Sequence, residues 1–344
     1  MLLCALPFAG CSTDSPTPAS PGGTLNFYSW EGMFPPEVLD AFTAETGIRV
    51  NYSNFDYGET MLTKLLSNGA SEYDLVIADD YILEMAIEQG LAQKLDKAKI
   101  STIGNINPIY QRQFYDPGDD YAYPYGAGVQ TIMYNPAAVG IGIGGYADLW
   151  DPSLSDQVGV IANFRVINGM ALKVNGQSYN TEDLSVIRRA GDKLLELAPN
   201  IRIIKDDDLH ADLMSGEVSA AVMYTSQVTM AKMEMPELEI VFPEEGIGFG
   251  VMAGFIPANA PNPDAAYLFL DFIGRPEIAA ECFMWLGYYC TNLAAEAHID
   301  DEFRPFLTLP DGFNIEMEMI QNIGPGALDL HDEIWIEFRT AAGQ

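Results

Sequence analysis

The first third of the chain alternates short apolar runs with amphipathic stretches, and this alternation constrains the fold more than any other feature. Three apolar runs are typical of buried strands, over residues 25–29, 48–52 and 75–78. Each is followed by a helical stretch that ends next to a glycine, over residues 35–46, 59–68 and 81–89. A strand–helix–strand–helix–strand order favours a parallel sheet with right-handed crossovers. The sequence therefore predicts an α/β fold.

The second half of the chain has an alternation of its own, which predicts a second α/β lobe. Its expected strands include residues 158–162, 201–204 and 220–224. Two glycine-rich stretches, 123–128 and 246–254, are predicted to lead across a hinge between the lobes. The chain is long enough for two cores. We expect a clamshell of discontinuous lobes, with a ligand cleft between them: lobe 1 from residues 24–128 and 253–298, and lobe 2 from residues 129–252 and 299–344.

Aromatic and acidic residues follow the first predicted strands. Trp30 follows the first strand and Asn54 the second, while Asp79, Asp80 and Tyr81 follow the third. Because α/β sheets bind ligands beyond the carboxyl ends of their strands, these side chains are expected at one edge of the sheet, in a ligand site. Two alternatives stay open. Trp30 could be a core residue, and one of the two aspartates could cap the next helix.

The N-terminus resembles the signal of a bacterial lipoprotein. A short apolar run over residues 1–10 ends in small residues just before Cys11, which would become the first mature residue and carry the lipid. Residues 12–23 are rich in Ser, Thr, Pro and Gly and would form a flexible tether. The run is short and lacks the usual positively charged start, so a disordered tail is the alternative.

The charge of the chain limits its partners. Seventeen Lys and Arg residues stand against 49 Asp and Glu residues, giving a formal net charge of −32. Such a surface repels nucleic acid and anionic membranes and attracts cations, although adaptation to high salt would produce the same composition. No internal stretch is long and apolar enough to span a membrane.

The cysteines and the catalytic motifs give weaker indications. Cys4 would leave with the signal, whereas Cys282 and Cys290 are close enough in sequence to form a disulfide in an exported protein. Their spacing does not fit a zinc site. The chain has three widely separated histidines and neither a phosphate loop nor a nucleophile elbow. We therefore expect neither an enzyme nor a cofactor.

A series of short motifs runs along the chain: Phe27–Tyr28–Ser29–Trp30, Glu45–Thr46–Gly47–Ile48, Tyr73–Asp74–Leu75–Val76, Ala147–Asp148–Leu149–Trp150, Ile256–Pro257–Ala258–Asn259–Ala260 and Thr291–Asn292–Leu293–Ala294–Ala295. Together they resemble the periplasmic spermidine/putrescine-binding proteins of ABC importers, over residues 24–343. The resemblance implies a two-lobed periplasmic-binding-protein fold, similar to type II, that closes on its ligand and performs no catalysis. It also implies a monomer at the cell envelope, with a membrane permease as its partner.

The resemblance also implies a binding mode. In that family an amine chain lies between aromatic faces, while carboxylates and hydroxyls hold its ammonium groups. Five residues of this chain match ligand-contacting positions of the family: Trp30, Tyr81, Tyr224, Tyr288 and Gln321. Tyr224 stands where a tryptophan is usual, which keeps an aromatic face.

Other positions depart from the family, and most of the departures remove an acid or an aromatic ring. Asn163 and Val166 stand where acids hold one amine. Gly250 and Met252 replace a tryptophan and the aspartate that holds the other amine, and Met33 replaces a tyrosine. The usual anchoring carboxylates are therefore missing.

Acids near the predicted strand ends offer replacement anchors. Asp79 and Asp80 occupy positions where the family has hydroxyl residues, and Glu31 follows Trp30. We expect Asp79, together with Glu31 or Asp80, to hold an ammonium group. The loss of the usual anchors leaves open a shorter amine, a modified polyamine, another cationic or zwitterionic solute, or a metal ion. The run Asp206–Asp207–Asp208 does not have the spacing of a calcium loop.

Overall fold

The computed structural model of this chain describes residues 23–55, 58–205, 208–307 and 314–344. The expected lipidation site Cys11, the tether up to residue 22 and Asp206–Asp207 lie outside the described residues. Among the described residues, no helix is long and apolar enough to cross a membrane.

The described strands form one mixed sheet of 11 strands. They are β1 (Gly23–Ser29), β2 (Ile48–Asn54), β3 (Leu75–Asp79), β4 (Tyr123–Tyr134), β5 (Val158–Val160), β6 (Ile201–Ile204), β7 (Ala220–Tyr224), β8 (Glu239–Val241), β9 (Ile247–Phe255), β10 (Tyr289–Cys290) and β11 (Met317–Met319). The order across the sheet is β2-β1-β3-β9-β4-β7-β5-β6. Strands β1, β2 and β3 are parallel to one another, as are β5, β6 and β7. The predicted parallel α/β arrangement is therefore present in both halves.

The described helices cover the parallel strands. They are α1 (Pro36–Thr46), α2 (Gly58–Ser67), α3 (Asp80–Glu88), α4 (Phe164–Val174), α5 (Leu184–Leu195), α6 (Leu209–Ser215), α7 (Thr225–Glu234), α8 (Pro263–Ile273), α9 (Pro276–Leu286) and α10 (Pro325–Ala341). Prolines open α1, α8, α9 and α10, where a missing N–H group leaves no helical hydrogen bond unmade. Gly47 and Gly287 end α1 and α9 in the left-handed conformation that glycine adopts without strain.

Two long antiparallel strands, β4 and β9, join the two parallel halves. Strand β9 pairs with β3 on one side and with β4 on the other. Strand β4 pairs with β9 up to Val129 and with β7 from Gln130 onward, so it passes from one half to the other. The glycine-rich stretch 123–128 is thus the first part of one continuous strand, which pairs with β9 on one edge and with β10 at Gly126 and Ala127 on the other.

The apolar core is divided in the same way as the sheet. One cluster packs around β5 and β7 and includes Ile161, Met223 and Phe338. Two others pack on opposite faces of β1, β3 and β9. Residues after 298 contribute to a smaller cluster, in which Ile299 and Leu307 pack with Phe283 of α9. The residue boundaries of the lobes stay a prediction.

The disulfide considered for Cys282 and Cys290 does not form. Both cysteines are free and buried. The Cys290 thiol donates a hydrogen bond to the Asn292 carbonyl at 3.1 Å, and Cys282 of α9 packs in a core cluster with Tyr123 and Tyr125 of β4. The two thiols therefore lie in separate apolar clusters. Burial raises the pKa of each thiol to about 12.

Candidate ligand-binding site

The turn after β1 carries Trp30 and is held from two sides. The Tyr52 hydroxyl of β2 donates to the Trp30 carbonyl and accepts a hydrogen bond from the Met33 N–H at 3.2 Å. From α9, the Trp285 indole donates to the Gly32 carbonyl at 2.7 Å. Gly32 has a φ of 73°, which a glycine adopts without steric cost. The turn is thus a fixed platform beyond the carboxyl end of β1.

The platform presents one aromatic and one acidic side chain. Trp30 is half-buried and its ring packs against Phe55 at a centroid distance of 4.9 Å. The indole also contacts apolar clusters on both faces of the sheet, so it contributes to the core while part of its surface stays accessible. Glu31 is exposed. Trp30 is therefore a core residue only in part, because some of its surface stays accessible.

Strand register brings Asp79 to the face of the sheet that carries Met252. Asp79, the last residue of β3, pairs with Met252 of β9, and Met252 pairs with Gly126 of β4. Directly paired residues on neighbouring strands project their side chains to the same face. The three positions thus form a row across the middle of the sheet.

Tyr288 lies over the same row. A Cβ atom added at Gly128 would be 2.8 Å from Cδ1 of the Tyr288 ring, and one at Gly126 would be 2.8 Å from the Met252 methyl carbon. These distances are too short for real contacts, so Gly128 leaves room for the Tyr288 ring against β4 and Gly126 leaves room for the Met252 side chain. Gly287, just before Tyr288, ends α9 with φ of 70° and aims the next residue across the sheet.

The two aspartates that follow β3 differ in their surroundings. Asp79 is the N-cap residue of α3 but its carboxylate makes no capping hydrogen bond. The Asp80 carboxylate accepts from the Tyr81 N–H at 2.8 Å and from the Val251 N–H at 3.0 Å. Asp80 is therefore the residue that engages the helix start, and it also fastens α3 to the strand that joins the two halves.

Burial gives Asp80 an unusual charge state. The residue is only 4% exposed. Burial raises its pKa to about 8, neighbouring Asp79 and Glu84 raise it further, and the hydrogen bonds from Val251 and Tyr81 oppose them. A Cβ atom at Gly250 would lie 3.7 Å from the Asp80 carboxylate. Within the described chain, no Lys, Arg or His side chain forms an ion pair with it.

Helix α3 carries two further polar residues, Tyr81 and Glu84, toward the other half of the sheet. Tyr81 is half-buried and packs with the cluster that also includes Met319. Burial raises the pKa of Glu84, and a hydrogen bond from the Asn322 backbone opposes the rise. Helix α3 therefore meets the segment that follows β11, which also carries Gln321.

On the opposite side, Tyr224 ends β7 and is joined to the start of α4. The Asn163 amide donates to the Tyr224 hydroxyl at 3.0 Å. The Asn163 side-chain oxygen accepts from the N–H groups of Arg165 and Val166 at 3.1 and 3.2 Å. One asparagine thus caps α4 and positions the tyrosine.

Gln321 is held by residues that the sequence did not single out. Its N–H donates to the Asn180 side-chain oxygen at 2.7 Å, and its carbonyl accepts from an Arg165 Nη atom at 3.2 Å. The local sequence pattern does not predict these partners, because Arg165 and Gln321 are 156 residues apart.

A cavity of about 340 Å³ opens next to Gln321. Its lining is mainly aromatic and methionine-rich and comprises Ile109, Tyr110, Gln113, Phe114, Phe249, Met317, Met319 and Gln321. The volume is in the range of small-molecule pockets. Of these residues only Gln321 was predicted. Tyr110 and Phe249, whose rings stack at 6.1 Å, follow no strand end, so the rule that found Trp30 could not find them.

The structure thus divides the predicted site residues between two groups. Trp30, Glu31 and the residues from Asp79 to Tyr81 lie beyond the ends of β1 and β3, and Tyr288 lies on the joining strands. Tyr224 and Gln321 belong to the other side. Their contact with a ligand stays a prediction.

Known proteins with this sequence pattern and fold are solute-binding proteins. Residues 37–304 match a family described as bacterial extracellular solute-binding protein. The spermidine/putrescine-binding periplasmic protein of Salmonella typhimurium is 34% identical over 324 residues, 94% of this chain and 93% of that protein. A putrescine-binding periplasmic protein of Pseudomonas aeruginosa is 30% identical, over 88% of this chain and 87% of its own length.

A solved structure supports the same relationship. The substrate-binding protein of a spermidine/putrescine ABC transporter from Streptococcus pneumoniae superposes with a TM-score of 0.83 at 28% identity. The superposition covers 93% of this chain and 100% of that one. The two-lobed α/β fold expected from the sequence is therefore confirmed.

Proposed function

This chain belongs to the family of bacterial extracellular solute-binding proteins, and on that premise we propose that it captures a polyamine of the spermidine/putrescine class for an ABC importer. Binding of a solute is the family's activity. The relatives named for spermidine or putrescine favour a polyamine over the other cationic solutes, zwitterions and metal ions considered above. Those relatives bind and deliver solutes, which supports a role other than catalysis for this chain.

The observation that carries the proposal is the placement of the Asp79 carboxylate and the Tyr288 ring on one face of the sheet. Asp79 pairs with Met252 on the face over which the Tyr288 ring lies. Trp30 stands on its fixed turn next to this face. An alkyl ammonium between aromatic rings gains cation–π attraction, and a carboxylate adds a charge-assisted hydrogen bond. Asp79 is the proposed primary anchor, with Glu31 at the rim.

Asp80 has a different part in the proposal. Its carboxylate lies below the site, tied to Val251, and in the described chain it is ion-paired with no basic side chain. A ligand ammonium held by Asp79 would supply the missing positive charge and favour the ionised form of Asp80. Ligand binding would then strengthen the link between α3 and the joining strand β9.

The protein would close on its ligand, because the proposed ligand-contacting residues belong to two lobes. The proposed lobes are residues 24–128 with 253–298 and residues 129–252 with 299–344. Trp30 and Tyr81 would contact the ligand from the first lobe, and Tyr224 and Gln321 from the second. A ligand that contacts both sides binds the closed form more tightly, so it shifts the population toward closure, which the permease would recognise.

The cellular setting is part of the same proposal. The names of both relatives describe them as periplasmic proteins. We place this chain outside the cytoplasmic membrane as a monomer, anchored by a lipid on Cys11. Its net charge of −32 would favour the approach of a cationic solute, most strongly at low ionic strength.

Titration calorimetry tests the proposal. Residues 24–344, stripped of ligand by denaturation and refolding, are titrated with spermidine, putrescine, cadaverine and spermine at two salt concentrations. Tight one-to-one binding of at least one polyamine, weaker at high salt, is expected. Absence of binding to all four at both concentrations would refute polyamine capture.

A further inference from the structure

Helix α7 is fastened to the strand that crosses between the two halves of the molecule. Its first residue, Thr225, is buried, and its hydroxyl accepts from the Val129 N–H at 2.9 Å and donates to the Val129 carbonyl at 3.1 Å. Val129 is the last residue of β4 that pairs with β9 before β4 changes its partner to β7. Val228 and Ala231 of the same helix pack in the core cluster around β5 and β7. The start of α7 thus joins the second lobe to the crossing point of β4.

The next turn of α7 contacts the first lobe. The buried Thr229 hydroxyl lies 2.8 Å from the Gly287 carbonyl oxygen and 3.0 Å from the Thr225 carbonyl oxygen, so both oxygens accept from its single proton. Gly287 ends α9, whose Cys282 and Leu286 pack in a core cluster with β1 and β3. One side-chain hydroxyl therefore connects elements that belong to two different cores.

Gly287 leaves room for this contact. A Cβ atom added at Gly287 would be 3.0 Å from the Ser226 carbonyl oxygen and 3.1 Å from the Thr229 Cβ. These distances are tighter than ordinary contacts of a Cβ atom, and the φ of 70° also favours glycine. The backbone at the end of α9 therefore lies directly against the first turn of α7.

The contact between Thr229 and Gly287 is close to the joining strands. Thr225, which is bonded to β4, and Thr229 are four residues apart in one helix, which corresponds to about 6 Å along the helix axis. When two lobes close about their joining strands, points next to those strands move least and the far ends of the lobes move most. A hydrogen bond at this place can persist while the lobes close.

Two expected ligand-contacting residues are neighbours of the contact in the chain. Tyr224 directly precedes α7, and Tyr288 directly follows Gly287. The bond between α7 and Gly287 therefore limits how far the backbone of Tyr224 can move relative to the backbone of Tyr288.

We propose that Thr229 is a positioning residue for the ligand site, because its hydrogen bond to Gly287 is the pivot about which the two lobes close. This inference rests on the proposed function. The bond stays intact in the open and closed forms and keeps the backbones of Tyr224 and Tyr288 at one spacing. Without it the second lobe gains freedom to adopt other angles, and part of the binding free energy is spent on ordering the lobes.

A second buried threonine offers a matched control. A cavity of about 90 Å³ lies beside the contact, and its lining includes Thr131, Thr225 and Thr229. Thr131 is 2% exposed, and within the described chain its hydroxyl oxygen has no hydrogen-bond partner. Replacing Thr131 by valine therefore removes a hydroxyl from the same surroundings without breaking a bond between the lobes.

Calorimetric titration with spermidine and putrescine compares residues 24–344 with three variants. Thr229→Val keeps the volume of the side chain and is expected to weaken binding of the better ligand roughly 10-fold, through loss of one buried hydrogen bond. Thr229→Ser keeps the hydroxyl and is expected to bind within about 2-fold of the wild type, although loss of its methyl group lowers the thermal stability. Thr131→Val is expected to bind as the wild type does.

This ranking separates positioning from a purely structural role, in which affinity would follow the thermal stability of each variant. Wild-type affinity in folded Thr229→Val would refute the inference and leave polyamine capture standing. Absence of binding to the wild type would refute both.

Crystal structures of the wild type decide the inference even if Thr229→Val does not fold. The distance between Thr229 Oγ1 and the Gly287 carbonyl oxygen is expected to stay within about 3.2 Å in the ligand-free and the polyamine-bound protein. A broken bond in either form would overturn the pivot.

Discussion

Asp80 makes the stability of the ligand-free protein depend on pH in a predictable direction. Its pKa is raised from 3.8 to about 8 in the folded protein. Between these two values the folded state binds a proton that the unfolded state does not, so the free energy of unfolding falls as pH rises. The neighbouring acids Asp79 and Glu84 add to burial in favouring its neutral form, and the buried Tyr115 nearby carries no charge in this pH range. We therefore expect stability to decrease from acidic to mildly basic pH.

The window from pH 6.5 to 8 isolates this contribution. His331 has its pKa lowered from 6.5 to about 4 by burial, so it adds stability as pH rises toward 6.5 and nothing further above it. Within the window, a pKa of about 8 gives a loss of about 1.5 kcal/mol in the free energy of unfolding. Replacing Asp80 by asparagine removes the titration, so the slope of Asp80→Asn should be close to zero.

Urea unfolding at several pH values measures both slopes. Asp116→Asn is the matched control, because Asp116 is an equally buried aspartate that accepts backbone hydrogen bonds from Asp120, Tyr121 and Ala122. This control should lose stability but keep the wild-type slope. A wild-type free energy that stays constant from pH 6.5 to 8, or an unchanged slope in Asp80→Asn, would show that the reasoning about Asp80 is wrong.

Three further predictions concern the binding site and are read by calorimetric titration with the best-binding polyamine. Trp30→Ala should weaken binding by about 1–3 kcal/mol through loss of an aromatic platform, and an unchanged affinity would place the ligand elsewhere. Asp79→Asn should weaken binding by at least about 1 kcal/mol, whereas Asp40→Asn on the exposed face of α1 should not; the reverse ranking would contradict the proposed anchor. Gly128→Ala should displace the Tyr288 ring, since the new Cβ would stand 2.8 Å from it, and lower both affinity and stability by about 1–3 kcal/mol. Wild-type affinity in Gly128→Ala would show that the ring position is not needed.

The elements of the fold were largely predictable because their signals are local. Proline at the start of a helix and glycine at its end act through the backbone conformation of single residues, as at Pro276 and Gly287. The continuity of β4 was missed because Gly126 and Gly128 are typical of a loop, although Gly128 leaves room for the Tyr288 ring and Gly126 for the Met252 side chain.

The site was predictable only in outline, since its decisive contacts are distant in sequence. The rule for strand ends placed Trp30 and Asp79 on one edge. It could not separate Asp79 from Asp80, because the bond that occupies Asp80 comes from Val251, 171 residues away. Arg165 carries no motif of its own, and its hydrogen bond to the Gln321 carbonyl joins residues that are 156 positions apart.

The crystal structure of residues 24–344 with a bound polyamine tests the central claim most directly. The account predicts one polyamine between Trp30 and Tyr288, with an ammonium nitrogen about 2.7–3.0 Å from the Asp79 carboxylate and contacts to Tyr224 from the second lobe. A polyamine bound outside the region between the lobes, or bound there with no carboxylate of the first lobe touching an ammonium group, would contradict it.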